Sequence, residues 1–142
     1  MKIDIERLGL KNVSIDPETI FTFSKGLAGF ESYTRFKLFH EEGKPSVFWL
    51  GCLDEPKVMF PVVAPEQIDI EYQIELPDED CELIGLVDVA DAVVLVIVYR
   101  DAAQNGKIAA NTRSPVILNL KTRQGMQKIL RNVQSTLVFR GH

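Results

Sequence analysis

Asp78, Glu79, Asp80 and Glu82 crowd four carboxylates into five positions. Such a cluster can coordinate a hard cation or divide the work of general acid and general base. The glycine that gives a calcium loop its sharp turn is missing, however, and the acids stand where a helix would begin. There they complement the positive end of the helix dipole, so a capping or interaction role is expected rather than a metal site. Other reactive residues are scattered. His40 and His142 assemble no base pair and no facial metal triad. Cys52 and Cys81 lack the close pairing of thiolate zinc sites and are too few for a secreted disulfide framework, so free thiols in a reducing cytosol are expected. The string KGLAGF at 25–30 has neither P-loop nor dinucleotide spacing and reads as a turn. Ser14, Ser24, Ser32, Ser46, Ser114 and Ser135 occur in no nucleophile-elbow context. The expectation is a protein that is not an enzyme and binds no cofactor or metal.

Charge patterning is the stronger signal. Residues 66–91 hold ten carboxylates and no Lys or Arg, whereas after Asp101 there are no carboxylates and seven basic residues. Residues 1–101 carry nine basic and 20 acidic groups, so a front section near −11 joins a tail near +7. Either the two neutralise each other within one domain or they face charged partners. A net charge of −4 argues against general nucleic-acid binding. The start MKIDIE puts charges where a signal peptide needs an apolar run, and the apolar stretch 92–99 is too short to span a bilayer as a helix. A cytoplasmic protein without membrane association is expected.

The elements that must position these charges read mostly as strands. With 142 residues and 46% hydrophobic content, the chain suits one domain, 1–142, with a real core. Ile3, Ile5, Leu8 and Leu10 alternate with charged neighbours as one strand interrupted at Gly9. Further strands are expected at 19–23, 34–39, 47–50, 58–63, 67–74, 93–99 and 115–120, separated by Gly and Pro turns. Phe23, Phe30, Trp49, Phe60, Leu95 and Ile97 are the expected core. PDEDCELIG predicts a short helix capped by Asp78 and closed at Gly85. Met126, Ile129, Leu130 and Val133 have helical spacing, but 136–139 reads as strand, which leaves the C-terminal segment open. The fold class is mainly β: a small single-domain, barrel-like fold with one or two short helices.

The string FTFSKGLAGFESYTRFKLF resembles the opening of FliW-type flagellar assembly factors, at Phe21, Phe23, Gly26, Leu27, Gly29, Phe30 and Phe36. The resemblance continues through FWL at 48–50, the apolar strand ending at Pro65, the PDED segment leading to LIGL at 83–86, and the strand 92–99. It closes with AANTRSPVILN, matched at Ala110, Asn111, Pro115 and Asn119, with Thr112, Ser114 and Met126 departing from the usual residues. It implies a non-enzymatic β-barrel-like protein with two partners, flagellin and the RNA-binding regulator CsrA. Flagellin sequesters such a factor and frees the regulator to repress flagellin translation.

A basic RNA-binding regulator would suit the acidic segment, so the expected partner-binding residues are Asp78, Glu79, Asp80 and Glu82, with Asn111, Arg113 and Asn119 from the closing string. Glu79, Asp80 and Glu82 are expected to be exposed. The alternative is a β-barrel that binds RNA directly through Lys121, Arg123, Lys128 and Arg131. It lacks a platform of aromatics, since after Tyr99 only Phe139 and the imidazole of His142 carry rings.

Overall fold

The computed structural model describes residues 2–5, 8–41, 43–130 and 137–139. Its strands are β1 (Lys2–Ile5), β2 (Leu10–Ser14), β3 (Phe21–Thr22), β4 (Arg35–Glu41), β5 (Lys44–Cys52), β6 (Met59–Val63), β7 (Ile70–Tyr72), β8 (Ala92–Asp101), β9 (Lys107–Ala110), β10 (Val116–Asn119), β11 (Gln124–Gln127) and β12 (Leu137–Phe139). The single α-helix among the described residues is α1 (Asp78–Leu83). Strands β10, β11, β3, β4, β5, β6 and β8 neighbour one another in that order, and β8 pairs back onto β10. That contact closes a seven-stranded barrel. All its pairings are antiparallel except β11 with β3. β9 pairs beyond the ring on the far half of β8, and residues 111–115 interrupt the chain's return before β10.

Strand alternation fills the barrel. Phe21, Phe36, Leu50, Cys52, Val62, Leu95, Val116 and Leu118 point inward, with Phe23 and Leu27 beside them. Phe23 and Phe36 meet edge to face, with ring centroids 5.0 Å apart, an arrangement that suits the ring quadrupoles. The outer wall carries two further apolar layers. The β1–β2 hairpin lays Ile5 with Ile15 over Phe39, Met59 and Trp49. On another part of the wall, Ile84 packs on Ile117 and Met126 with Leu83 and Leu86.

The expected core is thus divided. Phe23 and Leu95 are buried inside, and Phe30, Phe60 and Ile97 are half-buried against the same cluster. Trp49 is half-buried outside the barrel under the hairpin, because its neighbour Leu50 takes the inward position.

Several boundaries also differ from the sequence expectation. Ile3 and Ile5 lie not in one strand with Leu10 but in β1, which pairs antiparallel with β2 from Leu10 onward, and Gly9, just before β2, has φ 68. The strand expected at 67–74 shrinks to β7, because Pro65–Ile68 forms a 3-10 turn that ends with Asp69 in the left-handed region. Asp78 does not cap α1. Pro77 holds that position, its carbonyl accepting from the Asp80 and Cys81 amides, and Asp78 is the first helical residue. Gly85, at φ 62, ends the helix as expected. Met126 belongs to β11 rather than a helix, Leu137–Phe139 is the expected strand and pairs with β7, and Val133 and Thr136 lie outside the described residues.

Two polar devices hold the loops. In the GLAGF turn, Gly26 has φ 63, and a Cβ there would lie 2.6 Å from the Phe30 carbonyl oxygen, so glycine is required. The Gln127 side chain ties this turn to the 111–115 break, accepting from the Ala28 amide at 2.9 Å and donating to the Ser114 carbonyl at 3.2 Å. On the second loop, Asp54 accepts from the Arg35 Nε at 2.9 Å and from the amides of Thr34 and Arg35 at 3.1 and 3.2 Å.

Burial works to raise the Asp54 pKa, but these donors outweigh it and hold the carboxyl below its ordinary value. A depressed folded-state pKa contributes stability that is complete above the unfolded value, about 3.9, and is lost as pH falls through the folded one. The melting-temperature gap between wild type and Asp54→Asn is therefore expected to be constant near neutrality and to close below about pH 4. A gap of undiminished size at pH ~2 would contradict the charged clamp.

Candidate functional site

α1 sits on the barrel through Ile84 and Leu83 and turns its acids outward, with one exception. Asp78, Glu79 and Glu82 are exposed and form no ion pair among the described residues. Asp80 turns inward, its Oδ2 2.6 Å from the Lys128 Nζ just past β11, with both side chains largely covered. The expectation that Asp80 is exposed is thereby corrected. The basic tail reaches the acidic segment at this point, so the two charge blocks are partly neutralised within the chain. With Asp80 neutralised at home, the net outward charge of the helix comes from the other three acids.

Asn119, expected at a partner surface, is buried. Its Nδ2 donates to the Ile84 carbonyl at 2.9 Å, and its Oδ1 accepts from the Lys121 and Thr122 amides at 2.9 and 3.3 Å. The Thr122 hydroxyl donates to the same Ile84 carbonyl at 2.7 Å. Asn119 therefore fastens the end of α1 to the β10–β11 turn, and its polar atoms are spent inside. A lone asparagine closing a strand gives no sequence signal of that task, because the partner carbonyl lies 35 positions away.

Asn111 and Arg113 lie in the break between β9 and β10. The Asn111 amide donates to the Ile97 carbonyl at 2.8 Å, and Arg113 and Leu130 are joined through the Leu130 amide at 2.8 Å. Nearby, the Tyr72 hydroxyl donates to the Thr112 carbonyl at 2.6 Å, and burial pushes its pKa up to about 12.

Of the basic residues assigned to RNA, Lys128 is committed to Asp80, and the Arg123 guanidinium lies 5.1 Å from the centroid of the buried Phe21 ring. Lys121 is exposed, and Arg131 lies outside the described residues. Among the described residues no three His, Cys, Asp or Glu side chains come together as a metal site, and no helix is long and apolar enough to cross a membrane. Neither Cys52, buried in the barrel, nor Cys81 is in a disulfide. The residues that the sequence did not single out are the exposed aliphatics that follow α1, Val87 and Val89, with Leu120 on the β10–β11 turn.

A closed seven-stranded ring with an acidic helix on its wall defines a small β-barrel protein with a charged outer face. A family model described as FliW protein matches residues 4–139. Flagellar assembly factor FliW of Azoarcus sp. (strain BH72) is 38% identical over 146 residues, covering 99% of this chain and 98% of its own. That of Chromobacterium violaceum is 36% identical over 137 residues, covering 90% and 92%. A crystal structure of the flagellar assembly factor FliW superposes with a TM-score of 0.80 at 25% identity, over 93% of this chain and 90% of that one. The chain belongs to the FliW family of flagellar assembly factors.

Proposed function

We propose that this factor acts in the cytoplasm by protein–protein binding alone, holding a CsrA-type RNA-binding translational regulator and exchanging it for flagellin. The observation that carries the reading is the division of labour on α1: Asp80 is neutralised by Lys128, while Asp78, Glu79 and Glu82 are left facing solvent. Protein that binds RNA must be basic near its RNA site, so such a surface attracts it and at the same time repels RNA phosphates. Acids arranged in this way steer encounter and reject wrong partners more than they add affinity.

Exchange is what makes binding regulatory. Flagellin that accumulates would take the factor and release the regulator onto flagellin message, and flagellin export would reverse this. The test is to preform the complex of this chain with the regulator, add flagellin and follow both complexes by size-exclusion chromatography. Flagellin is expected to displace the regulator stoichiometrically. A stable complex of all three proteins, or no complex of the chain with either partner, would overturn the exchange.

A further inference from the structure

Just beyond α1 the chain exposes aliphatic side chains on a rigid support. Val87 is 98% exposed and Val89 81%, on either side of Asp88, whose backbone is extended, and the Leu120 amide holds the far end of this loop by donating to the Asp91 carbonyl at 2.9 Å. Valines so exposed contribute nothing to the core, and isolated ones would need no explanation. These two stand two positions apart across an extended residue, which directs both to one side of the loop, and the loop that carries them is tied down at each end. The Leu86 amide donates to the Cys81 carbonyl at 2.8 Å, Asn119 and Thr122 clamp the Ile84 carbonyl, and the Asp88 Oδ1 caps the following turn through the Ala90 amide at 2.9 Å. A surface already ordered loses little entropy when a partner covers it.

The rim of this ledge determines the chemistry of what can cover it. Asp78 and Glu82 of α1 share with Val87 a shallow groove of about 330 Å³. Asp88 stands exposed between the two valines. We infer that the ledge formed by Val87 and Val89 is the apolar anchor of the acidic face, and that it receives an aliphatic side chain flanked by Lys or Arg on the basic regulator. The inference rests on the function proposed above and deepens it: the acids govern arrival, and the valines govern residence. Acidic residues alone would leave an interface without the desolvated centre that holds complexes together.

The test is binding kinetics of the full chain with a purified CsrA-type regulator, comparing wild type, the double variant Val87→Ser/Val89→Ser, and Glu79→Lys/Glu82→Lys. Both valines are solvent-exposed, so the first variant is expected to melt like wild type. It should dissociate about tenfold faster or more, with its association rate and salt dependence unchanged. Wild-type dissociation in that variant, while the lysine variant still associates slowly, overturns the anchor and leaves the proposed function standing. Wild-type kinetics in both variants moves the docking surface away from α1 and overturns the anchor, and no binding by the wild type overturns the proposed function and the anchor with it. A wild type that sediments as a dimer, made monomeric by the serines with regulator kinetics unaltered, assigns the ledge to self-association and also overturns the anchor.

Discussion

Phe23→Ala is expected to remove a large share of the chain's stability and to lower its urea midpoint sharply. Phe23 has no exposed surface and stands edge to face with Phe36 inside the barrel. Its ring fills the space beside Gly125, where a Cβ would lie 2.5 Å from its edge. Neighbouring strands therefore close tightly around the ring, and the wall cannot collapse into the space left by truncation without breaking the ladder. Removing a buried phenyl group costs about 3–5 kcal/mol, against about 5–15 kcal/mol of total stability for a domain. Urea unfolding with near-ultraviolet circular dichroism checks it. A midpoint equal to the wild type would mean that Phe23 is not at the centre of the barrel. Trp49→Ala should cost less, because Trp49 is half-buried under an external hairpin.

How far the sequence reveals this fold depends on whether a residue's task is local. β4, β5, β6 and β8 are legible because each carries aromatic or β-branched residues in an apolar stretch bounded by turn or charged residues. β9 and β11 are not. KIAA and QGMQ are four residues each, and they are strands only because β8 and β10 offer them partners. The short helix is visible from PDEDCELIG and Gly85, yet its cap falls on Pro77 rather than on Asp78. Trp49 illustrates a different limit: composition shows that a tryptophan is buried against something, not which side of a barrel wall it takes. The candidate site divides along the same line. Crowded acids are visible in sequence, but the inward turn of Asp80 depends on Lys128, 48 residues away, and the burial of Asn119 depends on Ile84. Val87 and Val89 read as ordinary apolar residues until the fold leaves them outside.

The second large effect concerns the acids that remain outward. Glu79→Lys/Glu82→Lys reverses two exposed charges and leaves both the Asp80–Lys128 bridge and the Ile84 clamp intact. Reversing Asp80 as well would place a lysine against Lys128 and confuse folding with binding. Electrostatic steering raises association rates by about 10- to 1,000-fold at low salt, and it fades as the Debye length contracts from about 30 Å at 0.01 M to about 10 Å at 0.1 M. The double reversal is therefore expected to slow association with the CsrA-type regulator about tenfold or more at low salt and to flatten its salt dependence, with melting temperature nearly unchanged. Stopped-flow association rates at low and high ionic strength, for wild type and this variant side by side, measure it most directly. Rates that converge at high salt and separate at low salt are the predicted result; identical rates at low salt would contradict docking of a basic partner on α1.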